Sequence, residues 1–395
     1  MCQDWHLSEL NEETPELQPL TAVAHSPTPA AEPVATGLLP EPAARQLIDP
    51  AGRLSAGPGA LPPPGVLREL HRRMVLGRRF DAQATALTKQ GRLAVYPSSR
   101  GQDACQVGAV LALREQDWLF PTYRDSVAIM SRGVDPVEVL CLLRGEWHCG
   151  YDPYQYRVAP QCTPLATNTL HAVGLAHAAR LRGEDTVALV LVGDGATSEG
   201  DTHEALNFAA VWKAPVVFLV QNNGYAISVP LAKQTAAPTL AHKGVGYGMP
   251  GLLIDGNDAA GVYATVTEAI GRAGRGEGPT LIEALTYRIE AHTNADDATR
   301  YRERDEVAAW LARDPLARLE TYLRGEGLLD DAGAARLRDE AEAFAASVRE
   351  RMNADPASDP AEMFAHVYAA PTAQLVEQRG DLLAEIRGHG DDEHA

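Results

Sequence analysis

From residue 186 onward, short apolar runs alternate with stretches of helical periodicity. The runs are TVALVLV, PVVFLVQ, GLLID and PTLIEALTY, which begin at residues 186, 215, 251 and 279. Within them apolar and polar residues do not alternate, and the helical stretches between them span roughly 10 to 16 residues. Strands that are buried on both faces show such continuous apolar runs. The pattern predicts an α/β fold, a doubly wound parallel sheet flanked by helices.

Four helical segments are predicted before the first run, over residues 65–91, 101–113, 135–145 and 168–183. The third has Asp135 as N-cap, Pro136 at the first helical position and Gly145 after its end. We assign residues 61–310 to the α/β domain. Residues 311–395 are helical and charged, and are predicted to pack on the core and on partner chains. Residues 1–60 are rich in Pro, Ala and acids without periodicity, which predicts a disordered arm.

Charge and composition limit the classes of partner and the cellular location that we expect. The 395 residues carry 35 Lys and Arg against 53 Asp and Glu, a formal charge of -18. This field argues against nucleic acid as a partner. There is no apolar run long enough for a membrane span and no basic segment typical of a secretion signal. The cysteine count of five is odd and no CxxC occurs, so a cytoplasmic protein without a disulfide framework is expected.

Candidate chemistry lies at the ends of two predicted strands. Asp194 stands between two glycines after the first run, and Asn223 follows the second run 29 residues later. Ligands of such sheets bind beyond the carboxyl ends of the strands. The Asp194 carboxylate, the Asn223 amide oxygen and the Tyr225 backbone carbonyl are hard oxygen ligands suited to Mg²⁺. Diphosphate oxygens and water would complete an octahedral shell.

Two other glycine motifs fail on spacing or charge. In GDGATSEG the third glycine comes two positions too late for a dinucleotide fingerprint. GATSEGDT has the spacing of a P-loop, but Asp201 stands where the lysine is needed and would repel phosphate. A magnesium-diphosphate site is therefore the favoured interpretation.

The sequence resembles a known family over about residues 66–370. GDGATSEGDTHEALNFAA followed by VQNNGYAIS is similar to the GDG–N signature of thiamine diphosphate enzymes, and most of all to the alpha subunit of 2-oxo acid dehydrogenases. FPTYRD, PLATNTLHAVG, GYGMPGLLIDGND and TYRIEAHTNADDATRYR carry the resemblance further, in the order of the family. It implies the thiamine diphosphate-binding fold, with thiamine diphosphate and Mg²⁺ as cofactors.

The resemblance also implies roles for single residues. It places the cofactor against Tyr123, Arg124, Thr163, Leu165, Asp194, Gly195, Ala196, Gln221, Asn223 and His292. Within this set Tyr123 and Arg124 contact the diphosphate, and a guanidinium fork suits phosphate oxygens. Asp194, Asn223 and the carbonyl of Tyr225 match the magnesium ligands. His292 matches the catalytic histidine that positions groups and transfers protons near the cofactor.

This sequence matches the family less well at two further sites, a structural potassium site and a regulatory hydroxyl. Cys162, Pro164, Thr167 and Asn168 fall where branched-chain relatives bind potassium, but Cys and Asn replace the Ser and Gln of that pattern. A thiol is a poor potassium ligand, so this ion is doubtful. Thr293 falls where animal relatives carry a regulatory phosphoserine, and the chain itself shows nothing of a kinase.

The function implied is the oxidative decarboxylation of a 2-oxo acid, with transfer of the acyl group to the lipoyl arm of an acyltransferase component. The substrate is a branched-chain 2-oxo acid such as 2-oxoisovalerate, or pyruvate. Because one cofactor domain is present, a beta subunit is expected to complete the site, giving two alpha and two beta chains. An acetoin-cleaving dehydrogenase subunit and a non-catalytic scaffold subunit are the alternatives.

Overall fold

The computed structural model describes residues 36–55, 59–146, 149–354, 359–365 and 367–392. The chain divides after Gly37, and the architecture below belongs to the unit Leu38–Ala395. Its strands are β1 (Trp118–Phe120), β2 (Ala188–Gly193), β3 (Val216–Asn222), β4 (Tyr225–Ala226), β5 (Val229–Pro230), β6 (Gly251–Asp255) and β7 (Thr280–Leu285). Five of them form a parallel sheet in the order β1-β2-β3-β7-β6, and β4 pairs with β5 in a short antiparallel hairpin.

The helices of the first half are α1 (Pro64–Lys89), α2 (Asp103–Leu111), α3 (Ser126–Ser131), α4 (Pro136–Arg144), α5 (Pro153–Tyr156) and α6 (Thr167–Arg182). Those of the second half are α7 (Gly200–Val211), α8 (His242–Gly246), α9 (Ala259–Gly274), α10 (Arg304–Leu311), α11 (Pro315–Gly325), α12 (Asp331–Asn353) and α13 (Ala373–Asp392). α2 packs against α9, α6 packs against α7, and α12 packs along α1.

Both faces of the sheet are covered, which explains the continuous apolar runs. Leu189, Leu191 and Val217 point into a core shared with α1, α2 and α9. Their neighbours Val190 and Phe218 point into a second core shared with α6 and α7. Side chains alternate between the faces of a strand, so an apolar residue is needed at every position. The predicted doubly wound α/β fold is confirmed.

The predicted strands and helices are all found in the structure. The four apolar runs form β2, β3, β6 and β7, and the four helical segments match α1, α2, α4 and α6 to within two residues at each end. Asp135 caps α4 by accepting from the N–H of Val137, and Gly145 ends it in the left-handed region. The sheet has a fifth strand, β1, which the pattern does not predict because three residues are too few to show a periodicity.

The first 35 residues of the predicted arm lie outside the described residues. The end of the arm that is described packs on the domain: Leu47 and Ile48 are buried, and the Ile48 N–H donates to Asp258 at 3.0 Å. Arg45 forms a bridge with Ile254 of β6. Within the described residues, the chain thus packs on the domain from Arg45 onward.

The C-terminal region is helical, as predicted. α12 buries a row of small and apolar side chains against the domain, among them Ala341, Ala345 and Val348. Among the described residues, no helix combines the length and the apolar character that crossing a membrane requires.

Candidate cofactor and metal site

A cavity of about 190 Å³ opens at the carboxyl edge of the sheet. Asp194 directly follows β2 and Asn223 directly follows β3, and these strands run parallel with Gly193 opposite Gln221. The sheet therefore brings two distant motifs to one edge. The predicted site residues that line the cavity are Tyr123, Arg124, Leu165, Asp194, Gly195, Ala196, Gln221, Asn223, Tyr225 and His292. Thr163 is exposed and is not among the lining residues, so its cofactor contact stays a prediction.

Asp194 is a carboxylate buried in the cavity wall, with 1% of its surface exposed. Burial raises its pKa, against the effect of hydrogen bonds from Gln234 and from the backbone at Asp194 and Asn223. The Gln234 amide donates from Nε2 to Oδ2 at 2.9 Å. An ionised carboxylate at such a buried position is costly unless a cation or several donors compensate it. A hard divalent cation would provide that compensation.

Asn223 presents its amide oxygen on the cavity side. Its Nδ2 donates to Oε1 of Gln102 at 3.0 Å, and its Oδ1 accepts from the N–H of Tyr225 at 3.3 Å. Carboxylate, amide oxygen and the neighbouring backbone carbonyl are ligands that fit Mg²⁺. Among the described residues, no group of three or more His, Cys, Asp or Glu could hold a metal. This agrees with a ligand set that contains a single carboxylate.

Gly195 is required by close packing behind the cavity. It begins a 3-10 turn, Gly195–Ser198, which leads into α7. A Cβ atom at Gly195 would lie 2.7 Å from the Cβ of Ala226 in the β4–β5 hairpin. The glycine lets the turn and the hairpin approach each other beside Asp194, and it leaves backbone N–H groups free of side-chain cover near the expected diphosphate.

Arg124 is held rigidly although it is charged and 5% exposed. Its Nη1 donates to the carbonyl of Ser98 at 3.0 Å, and its Nη2 donates to the carbonyl of His292 at 2.9 Å. The guanidinium also lies over the ring of Tyr123, 5.5 Å from its centroid. A fixed guanidinium that lines a cavity is well suited to bind a phosphate or carboxylate.

His292 is kept neutral by its surroundings. Burial, followed by the charges of Arg124 and Arg288, lowers its pKa to about 4. Its Nδ1 faces Nη2 of Arg124 at 3.0 Å and Nη1 of Arg288 at 3.4 Å. A guanidinium only donates, so Nδ1 accepts and the ring proton resides on Nε2. Asp296 fixes the backbone by accepting from the His292 N–H at 2.7 Å.

Sequence reasoning assigns no role to Arg288, although the structure places it in the cavity wall. It is 1% exposed, and its Nη2 donates to the carbonyl of Ile227 at 2.7 Å and to the hydroxyl of Tyr301 at 2.8 Å. Ile227 has a φ of 56°, a left-handed conformation that is costly for a β-branched residue. Arg288 therefore holds a strained turn at the cavity mouth. The motif TYRI contains this residue, but neither spacing nor residue type indicates its contacts.

The residues at the doubtful potassium position form hydrogen bonds of their own. The amide nitrogen of Asn168 donates to the carbonyl of Leu191 at 2.9 Å and approaches the carbonyls of Phe120 and Pro121 at 3.4 Å. The thiol of Cys162 donates to the carbonyl of Pro164 at 3.1 Å. Potassium needs oxygen lone pairs, and here N–H and S–H donors occupy the carbonyls instead. Internal hydrogen bonds hold the start of α6 where a cation would otherwise do so.

Comparison with known proteins agrees with this fold. The family described as "Dehydrogenase E1 component" matches residues 71–361. The chain is 49% identical over 328 residues to "3-methyl-2-oxobutanoate dehydrogenase subunit alpha" of Mycobacterium tuberculosis (strain CDC 1551 / Oshkosh), covering 82% of this chain and 88% of the relative. It is 43% identical over 266 residues to "Pyruvate dehydrogenase E1 component subunit alpha" of Staphylococcus aureus (strain Mu50 / ATCC 700699), covering 67% of this chain and 72% of the relative.

The chain belongs to the dehydrogenase E1 component family. The resemblance to alpha subunits of 2-oxo acid dehydrogenases that its motifs carry is thereby confirmed.

Proposed function

We propose that this chain is the alpha subunit of a thiamine diphosphate-dependent enzyme that decarboxylates a branched-chain 2-oxo acid. The observation that carries this proposal is the meeting of Asp194 and Asn223 at adjacent strand ends, around a cavity that Arg124 and His292 also line. The cavity thus offers metal ligands, a guanidinium and a neutral imidazole. A site for a magnesium-bound diphosphate beside a reacting centre needs these three kinds of group.

The residues present fit each part of the cofactor in turn. Asp194, Asn223 and the carbonyl of Tyr225 would hold Mg²⁺, which would offset the negative charge of the diphosphate. Arg124 and the N–H groups of the turn that begins at Gly195 would bind the diphosphate. When bound, thiamine diphosphate supplies a carbon nucleophile and an electron sink for decarboxylation. The protein's own task is to orient this group, neutralise its charge and exclude water.

His292 is suited to hold a proton and to donate a hydrogen bond near the reacting atoms. Its Nδ1 is engaged by arginine donors, which leaves Nε2–H as the atom that can donate to a substrate oxygen. With a pKa of about 4 the ring is neutral throughout the physiological range. A neutral donor does not repel the two arginines beside it, and it stabilises a substrate oxygen by a hydrogen bond while it keeps its proton.

The branched-chain substrate class is supported by similarity in length and sequence. The relative named for 3-methyl-2-oxobutanoate matches a larger share of this chain, at higher identity, than the relative named for pyruvate. We also propose that the acyl group of the product is transferred to a lipoyl arm of an acyltransferase component. The reaction would take place in the cytoplasm. A beta subunit would complete the cofactor site.

The experiment is a comparison of turnover on 2-oxoisovalerate, pyruvate and acetoin by the chain assembled with its beta subunit. An artificial electron acceptor reports decarboxylation without the acyltransferase. The highest kcat/KM is expected on 2-oxoisovalerate. Preference for pyruvate or for acetoin would replace the proposed substrate class, and no binding of thiamine diphosphate with magnesium would favour a scaffold subunit.

A further inference from the structure

A relay of buried amide side chains ends at Asn223. Asn223 donates from Nδ2 to Oε1 of Gln102 at 3.0 Å. Gln102 in turn donates from Nε2 to Oε1 of Gln221 at 3.0 Å, and Gln221 donates from Nε2 to Oδ1 of Asp125 at 2.7 Å. All four residues are at least nine-tenths buried, with exposures between 0% and 6%. Bulk solvent therefore has little access to the relay.

The direction of this relay is set at Asp125. The other oxygen of its carboxylate, Oδ2, accepts from the backbone N–H and the hydroxyl of Thr122, both at 2.7 Å. A backbone N–H can only donate, and an ionised carboxylate can only accept. Gln221 must therefore turn its nitrogen toward Asp125, and its oxygen toward Gln102.

The orientation of Gln221 fixes the orientation of Gln102, and Gln102 fixes that of Asn223. Each side-chain amide has an oxygen at one tip and a nitrogen at the other, so fixing one tip fixes the other. The oxygen of Gln221 accepts from the nitrogen of Gln102, so Gln102 turns its own oxygen toward Asn223. Asn223 then has to use its nitrogen on Gln102, which leaves Oδ1 for the cavity side that it shares with Asp194.

The polarity of the relay, meaning which tip of the last amide faces the cavity, matters because a cation binds oxygen and is repelled by an NH₂ group. Two hydrogen bonds hold the Asn223 amide: the N–H of Tyr225 donates to Oδ1 over 3.3 Å, and the shorter bond, 3.0 Å from Nδ2 to Gln102, is the stronger constraint on its orientation. We propose that Asp125 and Gln102 are positioning residues that fix the polarity of the relay, so that Asn223 offers its oxygen to the metal. This inference rests on the proposed magnesium-diphosphate site, and it assigns a role to two residues outside the set of metal ligands.

The decisive variant is Asp125→Asn. Its amide must keep an oxygen toward the Thr122 N–H, so it turns its nitrogen toward Gln221. The amides of the relay then rotate to satisfy one another, and Asn223 presents Nδ2 to the cavity at the cost of its 3.3 Å bond from the Tyr225 N–H. The full-length chain assembled with its beta subunit is titrated with Mg²⁺ at fixed thiamine diphosphate, and the cofactor-induced rise in melting temperature is recorded. We expect about 10- to 100-fold more Mg²⁺ for half-saturation, as for other changes behind a metal ligand.

A second substitution should restore the site. In Asp125→Asn combined with Asn223→Asp, the reversed relay delivers an N–H from Gln102 to one carboxylate oxygen at position 223. The other oxygen then faces the metal. We expect the double variant to regain most of the Mg²⁺ affinity. Asn223→Asp alone sets a carboxylate against Oε1 of Gln102, and we expect it to melt at a lower temperature than the double variant.

Asp117→Asn is the matched control. It also replaces a fully buried carboxylate by an amide, but at the opposite edge of the sheet, where Asp117 accepts from the N–H of Val187 at 2.9 Å. We expect it to lower the melting temperature without changing the Mg²⁺ requirement. If Asp125→Asn behaves in the same way, or if the double variant shows only the sum of the two losses, the relay does not set the polarity. If the unsubstituted protein shows no Mg²⁺-dependent cofactor binding, the proposed metal site itself fails.

Discussion

Arg124 donates a hydrogen bond from Nη2 to Nδ1 of His292 at 3.0 Å, and the same nitrogen binds the His292 carbonyl at 2.9 Å. The residue expected on the diphosphate thus also fixes the ring and the backbone of the residue expected at the reacting centre. Two functions that lie at opposite ends of the cofactor share one guanidinium. The arrangement makes the protonation of His292 depend on Arg124.

Removal of the Arg124 charge should raise the pKa of His292. The pKa is about 4 in the native chain because of burial first and the two arginines second. We expect Arg124→Ala to move it upward, but not to the ordinary 6.5, because burial and Arg288 remain. Titration of the His292 ring protons by NMR measures the shift. Arg124→Lys keeps a positive charge and serves as the control, and an unchanged pKa in Arg124→Ala would contradict the electrostatic coupling.

The same variant should weaken cofactor binding more than turnover at saturating cofactor. A charge-assisted hydrogen bond contributes about 1.5–3 kcal/mol, which corresponds to roughly ten- to a hundredfold in affinity. Calorimetric titration with thiamine diphosphate and magnesium measures the loss. If saturating cofactor does not restore most of the activity, Arg124 takes part in the chemistry and does more than bind the diphosphate.

His292 should also make the fold sensitive to mild acid. Its folded-state pKa of about 4 lies below the ordinary 6.5, so the unfolded chain binds a proton first as the pH falls. Above pH 6.5 this group costs no stability, and between pH 6.5 and 4 stability is lost. We expect His292→Gln to lose less free energy of unfolding between pH 7 and pH 5 than the native chain. Denaturant unfolding at the two pH values tests this, and equal losses would contradict it.

The buried carboxylate of Asp194 should stabilise the holoprotein and destabilise the cofactor-free chain. Its pKa is raised by burial, so the ionised form is penalised in the fold and stability falls as the pH rises above the ordinary 3.8. We expect Asp194→Asn to melt higher than the native chain at neutral pH without cofactor. With thiamine diphosphate and magnesium the order should reverse, because the variant loses a metal ligand. Unchanged cofactor affinity in calorimetric titration would refute the magnesium assignment.

The sequence predicts those parts of the fold and site that local patterns encode. Fully buried strands appear as apolar runs, and Asp194 and Asn223 follow such runs directly, so their meeting could be predicted. β1 was missed because it is only three residues long. The order of the strands, which places β7 between β3 and β6, depends on packing between distant elements. Gln102 and Arg288 reach the cavity through contacts with residues far along the chain, and no local pattern indicates such contacts.

Potassium should have no effect on this protein. Among the described residues, Asn168 and Cys162 already donate to neighbouring carbonyls, and these hydrogen bonds compete with an ion for the same oxygens. We expect the same cofactor affinity and melting temperature in KCl and in NaCl at equal ionic strength. Cys162→Ser combined with Asn168→Gln restores the oxygen-bearing side chains of the family pattern and is expected to create a preference for KCl. A clear preference in the native chain would show that potassium displaces these hydrogen bonds.

The last prediction is that the chain is inactive without a beta subunit. Decarboxylation requires a carboxylic acid that activates the ring of the cofactor opposite the diphosphate. The cavity is lined by two carboxylates, Asp194 and Glu199, among the described residues. Asp194 is expected on the metal, and Glu199 is exposed at the start of α7, beside the diphosphate end.

The test is the decarboxylation of 2-oxoisovalerate by the chain alone and by the chain mixed with its beta subunit, at equal concentrations of cofactor and Mg²⁺. We expect turnover in the mixture only. Glu199→Gln decides the alternative: if the lone chain turns over substrate at the rate of the mixture and this substitution abolishes the activity, Glu199 is the activating acid. The site would then be complete in one chain, and the two-chain assembly would be needed for something other than chemistry.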